Sequence, residues 1–422
     1  MITINANALK PAVNIVSKFV PRRHSTDAFT HILFKAKDGT LEITGTDGDG
    51  TFVTVSVPVP PQSQLTALID RAALSSILKA AKSRSVLDLT AGPNGRGLAI
   101  RFADTGATVS APGLDPAEFP SPPRYAVVDF PVKYDINAVR AACAHATDCH
   151  SFPAFSAVIV GKQEDVDIPV IAGADGHRIF IHFLPPCSTH LPAVLVPRWP
   201  LSKFLKAASE IYVGLGHVKP EEEGGSERRY VIIDGAPQNK TLRKHGAQIS
   251  VAAPEPYAKQ YPISNALAFS APAPTFSVEL DEIIPAAKTF APFFDNEYTP
   301  AVALIVDGDV VHLVRIHPER GPHHVAIPTA EYYGPNHYVI LNYYHLLDGL
   351  EWLAAVGAER AVFRIWGKYS DQGANIGAVE IADPTRATRI IAAPYLADIG
   401  PLAKVAGKDN LKPPTTTENR EQ

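Results

Sequence analysis

Apolar positions along the chain switch between two periods, and the switching recurs. Leu9, Ala12, Val13, Val16 and Phe19 fall at helical spacing behind a short strand, Thr3-Ile4-Asn5, with Pro11 tolerable if it lies in the first turn. Alternating runs follow. Ile32-Leu33-Phe34-Lys35-Ala36, Leu41-Glu42-Ile43-Thr44 and Phe52-Val53-Thr54-Val55-Ser56-Val57 predict half-buried strands. Leu74, Ile77, Leu78 and Ala81 predict a second helix. Three more strands, around Val86-Leu87-Asp88-Leu89, Leu98 to Phe102 and Thr108-Val109-Ser110, lead to a proline-rich link at Glu118 to Pro123.

The order then begins again. Ile136, Val139 and Cys143 mark a helix, and Leu201, Phe204, Leu205 and Ala208 another, among strands at Ala157 to Val160, Val170 to Ala172, Ile179 to Ile181, Tyr230 to Ile233 and Gln248 to Val251. In a third round Leu280, Ile283, Ile284 and Ala287, then Leu346, Leu350 and Leu353, mark helices among six further strands. The pattern predicts an α+β chain of three tandem copies, at a period of roughly 130 residues, of a two-helix, antiparallel-sheet unit. The copies span 1–126, 127–268 and 269–398, with a polar tail at 399–422 and an acidic, glycine-containing loop from His217 to Arg229. Two helices per unit must gather on one face of each sheet. Three units in line make a curved slab. Two chains joined head to tail would close it into a ring, with helices lining the pore and exposed edge strands paired.

Composition narrows the partners. At 19% charged and 46% hydrophobic residues the chain is a folded protein, and a net charge of −4 excludes nucleic-acid binding by bulk basicity. Any DNA contact must come from local cations. Lys10 and Lys18 share a stripe with Asn14; Arg71, Lys79 and Lys82 do so with Ser75; Arg140, Lys203 and Lys206 mark the next two helices. The alternative is a set of solvated helix faces. The last two helices weaken the DNA reading: Lys288 stands against Asp281 and Glu282, and Asp348 and Glu351 have no close base in sequence. Cys143, Cys149 and Cys187 form no C-x-x-C pair and read as reduced thiols, with no metal or cofactor implied. No leader or bilayer-length apolar run is evident, so a soluble, cytoplasmic protein without membrane contact is expected.

One stretch carries tempting chemistry. Val170 to Ile181 sets an Asp175-Gly176 pair between two β-branched runs, a strong hairpin signal, and places Asp175, His177 and Arg178 within four residues. These read either as a general acid/base cluster, perhaps of a hydrolase, or as a turn whose polar groups point outward. No nucleophile motif, phosphate loop or metal spacing accompanies them.

Several motifs resemble those of the bacterial replicative sliding clamp, the beta subunit of the replicative DNA polymerase, over residues 1 to 397. They are Gly39-Thr40-Leu41-Glu42-Ile43-Thr44-Gly45-Thr46-Asp47 and Leu114-Asp115-Pro116-Ala117-Glu118-Phe119-Pro120 in the first copy, and Ala174-Asp175-Gly176-His177-Arg178 and Val196-Pro197-Arg198 in the second. Asn296-Glu297-Tyr298, Asn342 and Ala393-Pro394-Tyr395-Leu396 fit in the third. The resemblance implies a homodimeric ring around duplex DNA, without sequence specificity or catalytic activity. It would tether the polymerase, the clamp loader and other replication and repair proteins through a peptide pocket, conferring processivity. Carried over by position, that pocket comprises Phe155, Ala174, Gly176, His177, Arg178, Ile179, Tyr261, Pro262, Leu267, Asn342, His345, Ile376, Ala378, Ile391, Ala393, Pro394, Tyr395 and Leu396. The resemblance adds Arg23 and Arg198 to Arg71 near the DNA path, and sets Phe293 and Phe294 against Val109 and Ala111 across the dimer seam. Departures are a loop, Cys149 to Ala154, without the tyrosines some members offer to DNA, the tail, and Ala174 and Ala378 where Thr and Ser occur. The tail and the His217 to Arg229 loop leave a specialised or inhibitor-tolerant clamp paralogue as an alternative.

Overall fold

Among the described residues a β-strand runs six times, with at most one intervening residue, into an α-helix. The junctions join Ile2–Asn5 to α1 (Ala6–Ser17), Leu65–Asp70 to α2 (Arg71–Ala80), Val127–Tyr134 to α3 (Ile136–His145), Val194–Pro197 to α4 (Arg198–Leu205), Thr275–Glu279 to α5 (Leu280–Lys288) and His337–Asn342 to α6 (Tyr343–Ala355). This computed structural model describes residues 1–123, 127–147, 153–162, 168–185, 192–218, 228–235, 247–252, 275–294, 300–317, 319–333, 337–370, 373–385 and 387–394. So abrupt a change leaves the first helical N–H groups in need of acceptors. Asp70 supplies one to Ala73 at 2.6 Å, and Asn342 caps Tyr344 and His345 at 2.9 and 3.4 Å.

Because α1 starts straight off its strand at Ala6, Pro11 sits in the helix interior and not in the first turn as the spacing implied. Pro285 holds the same sixth position of α5. Each helix therefore forgoes one internal hydrogen bond there.

The chain divides into two compact units that interleave in sequence, Met1–Ile136 with Thr189–Ala258, and Asn137–Ser188 with Lys259–Gln422. In the first, an antiparallel sheet runs in the order Leu65–Asp70, His31–Lys37, Thr40–Thr46, Thr51–Pro58, Ala247–Ala252, Arg228–Gly235, Ile211–Val218, Val127–Tyr134. Strands of the first copy thus continue into strands of the second, with Val53 opposite Ile249. A smaller sheet orders Ile2–Asn5, Val86–Ala91, Leu98–Phe102 and Thr108–Ala111. α1 buries Leu9, Ala12, Val13 and Val16 on Thr40–Thr46 and Thr51–Pro58.

In the second unit the order is Ala157–Lys162, Pro169–Ala174, Arg178–Phe183, Thr388–Ala392, Gly373–Ala382, Arg360–Ser370, Thr275–Glu279, Glu331–Tyr333, with Ile179 opposite Ile391 where the second copy meets the third. Gly321–Pro328, Val310–His317, Ala301–Asp307 and His337–Asn342 form its smaller sheet. Here α5 and α6 pack together, and Lys288 bonds Glu351 at 2.9 Å. Asp348 meets Arg178 at 2.9 Å, so neither acid lacks a base, contrary to the sequence reading. Their partners come from elsewhere in the chain. No helix among the described residues is long and apolar enough to cross a membrane.

A Gly-x-Asp-Gly element recurs in the two units. At Gly45 a Cβ would lie 2.5 Å from Val20 and 2.7 Å from Val16; at Gly173 it would lie 1.8 Å from the carbonyl oxygen of Ala142. Each glycine thus lets a helix, or its C-terminal extension, rest directly on a strand. Gly173→Ala is expected to destabilise the protein by about 1–3 kcal/mol through overpacking. Gly349→Ala, whose Cβ meets only ordinary contacts near 3.7 Å inside α6, is expected to gain about 0.5–1 kcal/mol. Thermal melts of the two variants check both signs.

Candidate functional site

Asp175 and Gly176 turn the chain between Pro169–Ala174 and Arg178–Phe183, with Asp175 N–H donating to the Arg178 carbonyl at 3.2 Å. Gly176 has φ +92°, which only glycine adopts without strain. The Asp175 carboxylate shapes the turn. Oδ1 accepts from the backbone N–H groups of His177 and Arg178 at 2.9 and 3.0 Å, and Oδ2 accepts from Arg178 Nε at 3.0 Å. In the first unit Asp47 does the same for Asp49 and Thr51 at 2.8 and 2.9 Å, beside Gly48 at φ +86°.

The recurrence decides between the two readings of the cluster. An aspartate doing this work where no histidine or arginine follows is a turn-former. Among the described residues no hydrogen bond joins the His177 ring to the Asp175 carboxylate, so the acid/base pair does not form. The other reading also needs correcting, since the Asp175 and Arg178 side chains turn inward and keep only 18% and 11% exposure. Arg178 reaches past Asp175 to Asp348 on α6 at 2.9 Å, tying the hairpin to that helix. Outward-facing polar groups would leave the guanidinium nothing to bridge.

Burial raises the Asp175 pKa, but the His177 N–H, the Arg178 charge and the Arg178 N–H outweigh it and hold the group below the ordinary carboxylate value. Two histidines nearby are kept neutral. Burial, then the Arg178 charge, brings His345 down to about 4. His145, fully buried and stacked on Phe180, falls to about 3 for the same two reasons. His145 Nε2 and His345 Nδ1 are buried without a hydrogen-bond partner among the described residues.

Several residues of the expected pocket converge here. Gly176 faces the Phe155 ring, Ala393 N–H donates to the His177 carbonyl at 2.8 Å, and the His177 and His345 rings lie 6.5 Å apart. Ala174, Ile179, Ala378 and Ile391 are buried. Gly176, His177 and Ala393 are exposed, and Phe155, Arg178 and Pro394 are half-buried. Asn342 is spent on capping α6. Ile376 lies in the strand Gly373–Ala382, whereas Tyr261, Pro262, Leu267, Tyr395 and Leu396, the Asn296 motif, Cys149 and Cys187 lie outside the described residues.

Of the basic positions, all but Arg140 belong to the first unit; Arg140 lies on α3 and approaches Asn137 at 3.4 Å. Three serve structure as well as charge. Lys10 Nζ donates to the Ala81 carbonyl at 2.7 Å, Lys203 Nζ to that of Lys18 at 2.7 Å, and Arg71 points at Ser17 O at 3.5 Å. They meet carbonyls at the C-terminal ends of α2 and α1, where cations are favoured. Lys18, Arg23, Lys79, Lys82 and Lys206 are exposed, and none joins an ion pair among the described residues. Arg198 is half-buried.

The residues expected at a dimer seam divide. Val109 is 41% exposed on the edge strand Thr108–Ala111. Phe294 and Ala111, in contrast, are already buried within the chain. Phe294 stacks on Tyr343 with ring centres 4.3 Å apart under the Arg315 guanidinium, and so packs in the core of its own unit. Phe293 is half-buried and stacks on His323.

Repeated strand–helix junctions and sheets continuous from copy to copy are features of a DNA-clamp architecture. The comparisons agree and are more particular. Residues 1–123 match the family described as DNA polymerase III beta subunit, N-terminal domain. The fold is similar to a Caulobacter crescentus beta sliding clamp (17% identity, 94% of this chain and 98% of that one, TM-score 0.72) and to a Bacillus subtilis DNA polymerase sliding clamp (15%, 94% and 99%, 0.73). A Pseudomonas aeruginosa sliding clamp bound to griselimycin is also similar (15%, 94% and 99%, 0.70). No curated protein matches the sequence. The likeness drawn from scattered motifs therefore holds, in sequence for the first copy and in fold for nearly the whole chain.

Sequence reasoning missed Asp348 and His145, which lie far from the hairpin in sequence. Both histidines have a signature in solution. With folded values near 4 and 3 against an ordinary 6.5, the unfolded chain takes up protons that the folded one refuses. Stability is full above pH 6.5 and falls as pH drops from there toward 4. The lowered Asp175 adds its own loss only below the ordinary carboxylate value of 3.8. Melting temperatures at pH 8, 7, 6 and 5 are expected to be level and then to decline, with a shallower decline in His345→Gln; a level profile down to pH 5 would contradict the assignment.

Proposed function

We propose that this protein is a DNA sliding clamp. Two copies, each of three repeats at 1–126, 127–268 and 269–398, close head to tail around duplex DNA and slide on it. The observation that carries this is the likeness of fold over 94% of the chain to bacterial clamps, joined to the family match of residues 1–123. Exposed cations that join no ion pair among the described residues, on a protein of net charge −4, fit contact with phosphates alone. Such contact is weak and salt-sensitive, and it does not read sequence. Those properties permit sliding.

The hairpin is the docking point for partners. Buried apolar residues together with an exposed rim at His177 and Ala393 suit a short peptide that inserts Leu or Phe side chains and bonds to the rim. The replicative polymerase, the clamp loader and other proteins carrying such a motif are the expected partners. The site does no covalent chemistry, and its carboxylate and guanidinium hold the groove in shape. Dimerisation pairs the open edge of Thr108–Ala111 with an edge strand of a second copy, with Val109 at the seam.

Both surfaces can be tested separately. Sedimentation is expected to give twice 45.3 kDa, and Val109→Arg to shift the protein toward monomer with its circular dichroism unchanged. A fluorescent peptide carrying a clamp-binding motif is expected to bind about tenfold or more weakly to Arg178→Ala, a change of about 1.4 kcal/mol, and less weakly to His177→Ala, with the dimer intact. Unchanged peptide affinity in both variants would place the docking site elsewhere.

A further inference from the structure

α4 opens with a side chain that a face touching only phosphates does not need. Trp199, its second residue, is 42% exposed. The indole does not wander. Lys203, one turn on, holds its ammonium 3.5 Å from the ring centre, and Phe19 meets the ring edge-on at 6.2 Å. Lys203 is itself fixed by the Lys18 carbonyl at 2.7 Å. Among the exposed large apolar side chains of the described residues, Trp199 alone carries a cation on its ring. Lys203 also feels the like charge of the exposed Lys206 ammonium. Asp47 is the acid that acts on Lys203, and two of that carboxylate's hydrogen bonds go to its own turn.

Packing alone accounts for part of this, since the ring edge covers Phe19. A lysine or leucine stem would do that without leaving so much indole in water. The exposed ring surface calls for a flat apolar partner, and the ammonium groups call for an anionic one. Nucleic acid supplies both. In a duplex the base faces are stacked on one another, and opening a step costs a few kcal/mol. In a single strand every base offers a free face.

We propose that Trp199, backed by Lys203 with the charge of Lys206 close by, is a stacking site for an unpaired base of single-stranded DNA. The site would give this face a grip on single strands beside the duplex, as at a primer–template junction. The proposal rests on the reading of these helices as DNA-facing. It adds a base contact to what would otherwise be phosphate contact only.

Tryptophan emission of the full-length protein reads the site directly. Of the three tryptophans, Trp366 is buried and Trp352 half-buried, so Trp199 should dominate quenching by a ligand at the surface. The probes are a 20-nucleotide oligo-dT, a 20-base-pair duplex and heparin, a polyanion without bases, each at low salt. Oligo-dT is expected to quench the emission strongly, and the duplex and heparin weakly. By anisotropy of labelled oligo-dT, Trp199→Lys, which keeps the helix and adds charge, is expected to lose about fivefold or more in affinity, the loss of one base stack. Trp199→Phe should recover part of it, and duplex affinity should not fall in Trp199→Lys. Equal quenching by heparin, or unchanged oligo-dT affinity in both variants, would overturn the proposal. If the wild-type protein failed to bind duplex as well, the fault would lie with the clamp reading; normal duplex binding with no effect at Trp199 would remove only the stacking site.

Discussion

Backbone hydrogen bonds across repeat boundaries are the interaction on which this protein depends. A sheet that ends in an exposed edge leaves a row of unpaired N–H and C=O groups, which must be satisfied or shielded. Here the ladder from Thr51–Pro58 to Ala247–Ala252 joins the first copy to the second, and the ladder from Arg178–Phe183 to Thr388–Ala392 joins the second to the third. The second copy is therefore shared between two compact units instead of forming one of its own. Among the described residues the strand Thr108–Ala111 stands at the edge of its sheet, the edge to which the proposed second copy would pair.

Helices and turns follow from that framework. Each strand–helix junction carries the chain off the sheet and back over its face, and small residues set how closely the helix can lie. Gly45 and Gly173 allow direct contact at matching places in two units, followed in both by an Asp-Gly turn with the same side-chain capping. Function is laid on this repeated frame by the few residues that differ. Where the first copy continues with Asp49 and Gly50, the second has His177 and Arg178, and the arginine reaches Asp348.

Much of this was legible in the sequence. Helix faces such as Leu9, Val13 and Val16 or Leu346, Leu350 and Leu353 obey a local period, and Asp175-Gly176 obeys local turn chemistry, so both could be read from neighbours in the chain. The failures were of another kind. Pro11 was misplaced because the helix start depends on where the preceding strand ends. The adjacent pair Phe293-Phe294 read equally as core or as seam, because the sequence does not show that Phe294 stacks on Tyr343. The inward turn of Arg178 rests on Asp348, and the neutral state of His345 rests on burial and on Arg178. No local pattern encodes partners that distant.

The proposed ring would hold DNA by topology, without gripping it. The direct measurement is retention after loading onto nicked circular DNA, followed through gel filtration in moderate salt. The account predicts that protein stays with the circle and is lost once a single cut makes it linear. Equal loss from both forms, or equal retention on both, would contradict it.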